Sequence, residues 1–229
     1  MPSIVKSTPR ITAWSFSRLQ DYRKCPQFAK FKHVDKIKEP GNDAMTRGSA
    51  IGKMAEDFIN ARKNVPCPPE IMSFKEEFLE LRKRKAVGED QWAFNINWEE
   101  TGWFDTDAWC RIKTDIYSLD LKTNVLLIID NKTGKVREEH EEQIMLYALG
   151  GLLKYPNIKA VDARLWYLDH GIEVPIEAKL YTPKDVPKLK AYWLYQIKPM
   201  LADTRFSPKP SNACRWCFFR KSNNGPCEY

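Results

Sequence analysis

No apolar run in the chain approaches the roughly 20 residues that a membrane-spanning helix needs, so no membrane partner is expected. The opening stretch MPSIVKSTPRITAW has no apolar core followed by a small-residue cleavage site, which argues against secretion and for a reducing, cytoplasmic setting. There is no GxxxxGK[ST] loop, so no nucleotide-driven motor is expected within the chain. With six cysteines and no secretory signal, a disulfide framework is not expected either. Hydrophobic residues make up 43% of the sequence, which excludes wholesale disorder.

What is present suits one domain of ordinary to large size: 229 residues, enough for a substantial core. The net charge of +7 fits a polyanionic partner without establishing one. Eight tryptophans and nine tyrosines could stack on bases, but aromatic residues mostly fill cores, and packing is the expectation here.

The most informative stretch runs from Trp109 to Lys132. Its first half alternates Ile112, Thr114 and Ile116 against Arg111, Lys113 and Asp115, and Val125 to Ile129 is a continuous apolar run. Together they read as a hairpin. Asp115 then lies within the first strand, while Asp130 and Lys132 leave the second on one shared face. Two carboxylates held together repel unless a cation neutralises them, and oxygen ligands suit magnesium or manganese. A metal so held could activate water and offset charge on a phosphate, with Lys132 beside it. A D-x-K pattern alone is a weak signal, and a polar strand end entering a turn explains it as well. Downstream, however, Gln143 and Tyr147 stand four residues apart and share one helical face.

Asp115, the run IIDNKTGK and the helix QIMLY resemble the RecB-like and Cas4-like branch of the PD-(D/E)XK nuclease superfamily. The resemblance implies metal binding by Asp115 and Asp130, a backbone carbonyl from Asn131, catalysis by Lys132, and a Gln143–Tyr147 helix beside them toward DNA. WSFSRLQDYRKCPQFAKF is similar to that branch's SxSrLxxYxxCPxxF segment, whose cysteine is the first ligand of an iron–sulfur cluster in members that carry one. Cys25 takes that place. RGSAIGKMAEDF is similar to the family's GxxxHxxxE helix: Gly48 and Glu56 match, but Gly52 stands where a metal-binding histidine is most often found. Glu56 then becomes a candidate metal ligand or water anchor.

The rest of the chain reads as helices at about 16–24, 44–64 and 70–85, a strand at 91–98, the hairpin, the QxxxY helix to about Tyr155, strands at 160–168 and 172–181 joined by a turn through His170, and a helix at 184–203. That order predicts an α+β fold, a mixed central sheet flanked by helices, which the resemblance makes a restriction-endonuclease-like core. One nuclease domain is expected over 1–229, with an N-terminal segment at 12–40, the core at 44–182 and a C-terminal helix and cysteine-rich tail at 183–229.

In that tail Cys214 and Cys217 form a CxxC pair, and Cys227 adds a third thiol. A tetrahedral metal or cubane needs a fourth sulfur, and Cys25 is the best candidate. The arrangement resembles the branch's [4Fe-4S] clasp, with zinc as the rival. Cys110 reads as buried packing and Cys67 as a loop residue. The expected activity is metal-dependent hydrolysis of DNA, by an exonuclease acting on ends or single strands in DNA processing or recombination, with a partner helicase and a viral or mobile-element setting as suggestions of the resemblance. Two rivals stand: a silenced nucleic-acid-binding subunit, with Gly52 as the mark of lost activity, and a zinc-binding interaction module. Oligomeric state leaves no trace in the sequence.

Overall fold

The computed structural model describes residues 8–61, 63–136, 139–175 and 179–229. They gather into two compact units, one formed by both ends of the chain, Met1–Gly41 with Leu194–Tyr229, and the other by Asn42–Trp193.

In the terminal unit, Ser15 accepts the Arg18 N–H and caps α1 (Phe16–Lys24). Cys25, extended, ends it, and Pro26 opens the short α2 (Pro26–Ala29), which passes into a π-helical turn at Lys30–Val34. Phe28 and Phe31 meet Phe219 edge-on at 5.0 and 5.4 Å between ring centres. That small core holds the cysteine-rich tail against the N-terminal helices. The tail is built from two 3-10 turns, Asn212–Trp216 and Lys221–Asn223.

The larger unit starts with α3 (Asp43–Asn60), capped by Asn42, whose side chain accepts the Met45 N–H. Ile51, Ala55, Phe58 and Ile59 are its buried face. Met45, in its first turn, is exposed. The helix stops at Asn60 instead of near 64, because the Asn60 side chain exchanges two hydrogen bonds with the Gly88 backbone; residue 62 lies outside the described residues. A 3-10 stretch at Pro69–Phe74 leads into α4 (Lys75–Lys83). The basic run at its end is used by the fold: Arg82 lies over Phe58 and donates to the Ala61 and Lys63 carbonyls, while Lys83 and Arg84 pair with Glu80.

The sheet contains β1 (Val87–Phe94), β2 (Glu100–Thr101), β3 (Cys110–Asp120), β4 (Val125–Lys132), β5 (Ala160–Tyr167), β6 (Ile172–Val174) and β7 (Leu180–Tyr181). Their order is β2-β1-β3-β4-β5-β6, with β7 also on β5. The pairs β1–β3 and β3–β4 are antiparallel, whereas β4 and β5 are parallel. A parallel step needs a crossover, which α5 (Glu139–Lys154) supplies. The mixed sheet flanked by helices expected from the element order is therefore present. α6 (Val186–Ala202) follows, opened by a capping box between Thr182 and Asp185.

Two of the strands differ from the sequence pattern, β1 also starting earlier, at Val87. Alternation through Trp98 placed a strand at 91–98, but β1 ends at Phe94: the Asn95 side chain accepts the N–H groups of Asn97 and Glu99 and turns the chain, leaving Trp98 at φ 65° with its ring against Trp109. The run 172–181 is two short strands, and its residues 176–178 lie outside the described ones.

The apolar run of β4 is explained by cover on both sides. Ile129 joins the cluster formed with α3 and α4, while Leu126 and Ile128 lie against Gly151 of α5. A Cβ at Gly151 would come within 2.9 Å of Leu126, so glycine lets α5 settle close to the strand. Among the described residues no helix is long and apolar enough to cross a membrane.

Candidate active site

β3 and β4 deliver the acidic residues. Ile116 opposes Ile129 in their register, so the next step along the two strands brings Asp115 and Asp130 side by side. The Asn131 N–H donates to Asp115 Oδ2 at 2.7 Å, tying the two strand ends together. The Lys132 ammonium, two residues beyond Asp130 on the same strand face, sits 2.6 Å from Asp130 Oδ2. From α5, Tyr147 donates its hydroxyl to Asp130 Oδ1 at 2.6 Å, and Gln143 accepts from Lys132 at 2.8 Å while donating to Tyr147 at 2.6 Å and to Asp130 at 3.2 Å. Asp130, Lys132, Gln143 and Tyr147 thus close a ring in which every member constrains the next. Asp130 is 3% and Tyr147 4% exposed, so these bonds are made out of water, where they are strong and where a missing partner is costly.

Electrostatics at the site fall most heavily on Asp115. Burial, and then the neighbouring charge of Asp130, push the Asp115 carboxyl up to about 7, against the restraining Asn131 N–H and the Lys132 ammonium. Burial works against the charge on Lys132, but Asp130 more than offsets it and holds the ammonium above its ordinary value. Burial, together with both carboxylates, raises the Tyr147 hydroxyl well above its usual range, keeping it a donor. One lysine therefore does not satisfy two carboxylates, one buried and one half-buried, and Asp115 carries the deficit. Added positive charge is what the pair calls for, and a set of hard oxygens suits a divalent magnesium- or manganese-like ion.

Glu56 pairs with Lys53 one turn earlier on its own helix, at 3.1 Å. Gly52 lines a cleft with Asn131 and Lys132, and a Cβ built there meets nothing within 4 Å. A histidine side chain has room at this position. Gly52→His is expected to strengthen manganese binding several-fold by calorimetry without lowering the melting temperature, since glycine is also a poor residue inside a helix; unchanged affinity would mean that position 52 does not reach the metal.

Pattern reading did not mark Tyr167 or His140. His140 Nδ1 lies 2.8 Å from the Tyr167 hydroxyl, with the rings nearly parallel at 24°. His140 stands one turn before Gln143, a spacing that could have revealed it. Tyr167 opposes Lys132 only through the parallel pairing of β4 with β5. Asp169 accepts from Arg47 and from the Gly134 N–H, which hold it down at about 2 and pin the turn that follows Lys132. His170 is in the turn after β5, as its sequence context suggested.

In the terminal unit Cys25, Cys214, Cys217 and Cys227 line one cavity of about 30 Å³. Backbone N–H groups of Lys209 and Ser211 point at the sulfurs of Cys25 and Cys214, at 3.4 and 3.3 Å, while the Cys227 thiol donates to Gln27. Burial pushes the Cys217 thiol up. Among the described residues no three His, Cys, Asp or Glu side chains are grouped closely enough to hold a metal ion as they stand. Cys110 is fully buried and Cys67 half-buried.

Comparison with known proteins bears on the fold and the family. The chain resembles the solved structure named "Putative exonuclease" from Eubacterium rectale, with a TM-score of 0.51 at 10% identity, over 90% of this chain and 88% of that one. The structure named SSO0001 aligns over 94% of this chain and 87% of its own at 14% identity, but its TM-score of 0.37 is too low to carry an argument. No curated protein matches the sequence. The family model of the PD-(D/E)XK nuclease superfamily matches residues 13–222. These span the hairpin carboxylates, the lysine and the α5 ring, and the chain belongs to the PD-(D/E)XK nuclease superfamily.

Proposed function

We propose that the chain is a divalent-metal-dependent deoxyribonuclease, an exonuclease acting on DNA ends or single strands, with Asp115, Asp130 and the Asn131 carbonyl as metal ligands. The observation that carries this reading is the closed ring of Asp130, Lys132, Gln143 and Tyr147 beside a second carboxylate, Asp115, whose proton affinity is raised by burial and by the charge of Asp130. A bound divalent ion supplies electrostatic stabilisation of the phosphate and a more acidic water. Lys132, held by Asp130 and Gln143, is aimed by two fixed partners and stays charged, so it can orient the attacking water or meet the developing negative charge. Tyr147 and Gln143 keep Asp130 from turning away. Asp130→Ala should remove all cleavage of linear DNA; retained cleavage would refute the assignment.

We assign the chain to the RecB-like and Cas4-like branch, as one nuclease domain whose terminal segments carry a four-cysteine metal site. Support comes from Cys25, Cys214, Cys217 and Cys227 facing one cavity, with N–H groups directed at two of the sulfurs. At about 30 Å³ the cavity holds one or two waters. Four cysteine sulfurs suit a single zinc ion as well as a [4Fe-4S] cubane, so zinc is kept as a second reading. Metal analysis and visible absorption of protein purified without oxygen decide between them: a brown protein with iron favours the cluster, and a colourless one with a single zinc favours the rival. In either case Cys217→Ser should lower the metal content and the melting temperature, and unchanged values for both would remove the site.

A further inference from the structure

Positive charge is divided unevenly between the two units. The terminal unit, Met1–Gly41 with Leu194–Tyr229, holds 15 of the chain's 37 Lys and Arg residues but only 5 of its 30 Asp and Glu residues, a net charge of +10. The remaining 22 and 25 give the larger unit, which carries the carboxylate pair, a net charge of −3. The excess that suits a polyanion therefore belongs to the smaller unit, not to the one with the candidate active site.

The same unit presents an aromatic ring to solvent. Six of the eight tryptophans are buried, and Trp103 is half-buried beneath Arg111. Trp216 is 88% exposed and departs from the packing expected of these residues. It ends the 3-10 turn Asn212–Trp216 of the tail. Arg220 donates to the Arg215 carbonyl and to the Asn223 side chain, both neutral, and the Lys221 N–H donates to the Tyr229 carbonyl at 3.3 Å. These bonds gather Arg215, Trp216, Arg220, Lys221 and the 56% exposed Tyr229 into one corner of the unit. Arg215 and Lys221 are exposed, and among the described residues neither is ion-paired. From Thr204 to Tyr229 the chain carries five Lys and Arg residues and one acidic residue, Glu228. Residues 1–7, which lie outside the described ones, include no acidic residue.

An indole face in water stacks on any unpaired base, and cations beside it follow the phosphates of the same strand. A duplex hides its base faces, so the pairing of a free ring with flanking cations suits a single strand. We propose that this corner of the terminal unit is a stacking platform for single-stranded DNA, with Trp216 against a base and Arg215 and Lys221 on the adjoining phosphates. The choice of DNA rests on the nuclease reading above; the platform itself does not depend on the cutting centre.

The test is fluorescence anisotropy with a short labelled single strand and the full chain, with calcium in place of magnesium, over a series of salt concentrations. Trp216→Ala should weaken binding by about 5-fold or more. Trp216→Phe, which keeps a ring, should retain most of the affinity while losing the quenching of tryptophan emission that the strand causes in wild type. Arg215→Gln and Lys221→Gln should each reduce the steepness of the log–log salt dependence by about 0.7. Trp216 and Arg215 stand between Cys214 and Cys217, so Lys221→Gln, outside that pair, and the melting temperature of every variant separate lost contacts from a disturbed tail. Unchanged affinity, salt slope and quenching would overturn the platform, leaving the exposed ring to a protein partner, while wild-type cleavage and the nuclease reading stay untouched. An equal loss on a blunt duplex in Trp216→Ala would overturn it too, because stacking needs an unpaired base. Weakened strand binding in the variants of a wild-type chain that never cleaves would support the platform and count against the nuclease reading alone.

Discussion

Lys132→Ala is expected to lose DNA cleavage by at least about 10²–10³-fold, the range for removing one transition-state charge partner, and to destabilise the fold as well. The ammonium lies 2.6 Å from a carboxylate that is 3% exposed, so truncation leaves Asp130 charged, buried and short of a partner. Losing one member of a buried pair costs about 3–5 kcal/mol. Tyr147 and Gln143 still donate to Asp130 and should bring the loss to the lower end. The double variant Lys132→Met/Asp130→Asn removes both charges, so most of the stability should return while activity does not. Urea titrations of the single and double variants check this. A double variant no more stable than Lys132→Ala would mean that the ion pair is not what the single variant disturbs.

Asp115→Asn should have the opposite effect on stability and the same effect on activity. Asp115 is raised to about 7 by burial and by Asp130, so the folded protein keeps this proton where the unfolded chain has released it. Between about pH 4 and pH 7 the folded state therefore binds more protons, and the metal-free protein loses stability as pH rises through that window, with no further loss above it. Asparagine removes the repulsion and retains an oxygen for the Asn131 N–H. Without metal the variant should be more stable than wild type at about pH 8 by up to a few kcal/mol, with the difference fading toward about pH 4. Manganese should raise the melting temperature of wild type more at about pH 8 than at about pH 5, because at lower pH binding must displace the proton. In Asp115→Asn most of that rise should vanish. Thermal melts at both pH values, with manganese and with chelator, read all of this. A variant less stable than wild type without metal would contradict the account of the site.

Much of this site was legible because its parts follow from local periodicity. Alternation placed Asp130 and Lys132 on one face, and helical spacing joined Gln143 to Tyr147; the structure makes both contacts. The mixed sheet followed from element order in the same way. What escaped notice depends on pairings distant in sequence. Tyr167 reaches Lys132 only because β5 lies parallel to β4, and Asp169 meets Arg47 across 122 residues. Boundaries were missed where a side chain competes with regular structure, as Asn95 does after β1 and Asn60 at the end of α3. The proximity of Cys25 to Cys214, Cys217 and Cys227 was expected from the resemblance, and all four line one cavity, while the spacing of the cysteines does not distinguish zinc from an iron–sulfur cluster.

The most direct measurement is degradation of end-labelled linear DNA, single- and double-stranded, by the purified chain with manganese, with magnesium and with chelator. The account predicts labelled products with either metal and none with chelator. No products with any metal, or equal products in chelator, would contradict the reading of Asp115, Asp130 and Lys132 as a metal-dependent cutting centre.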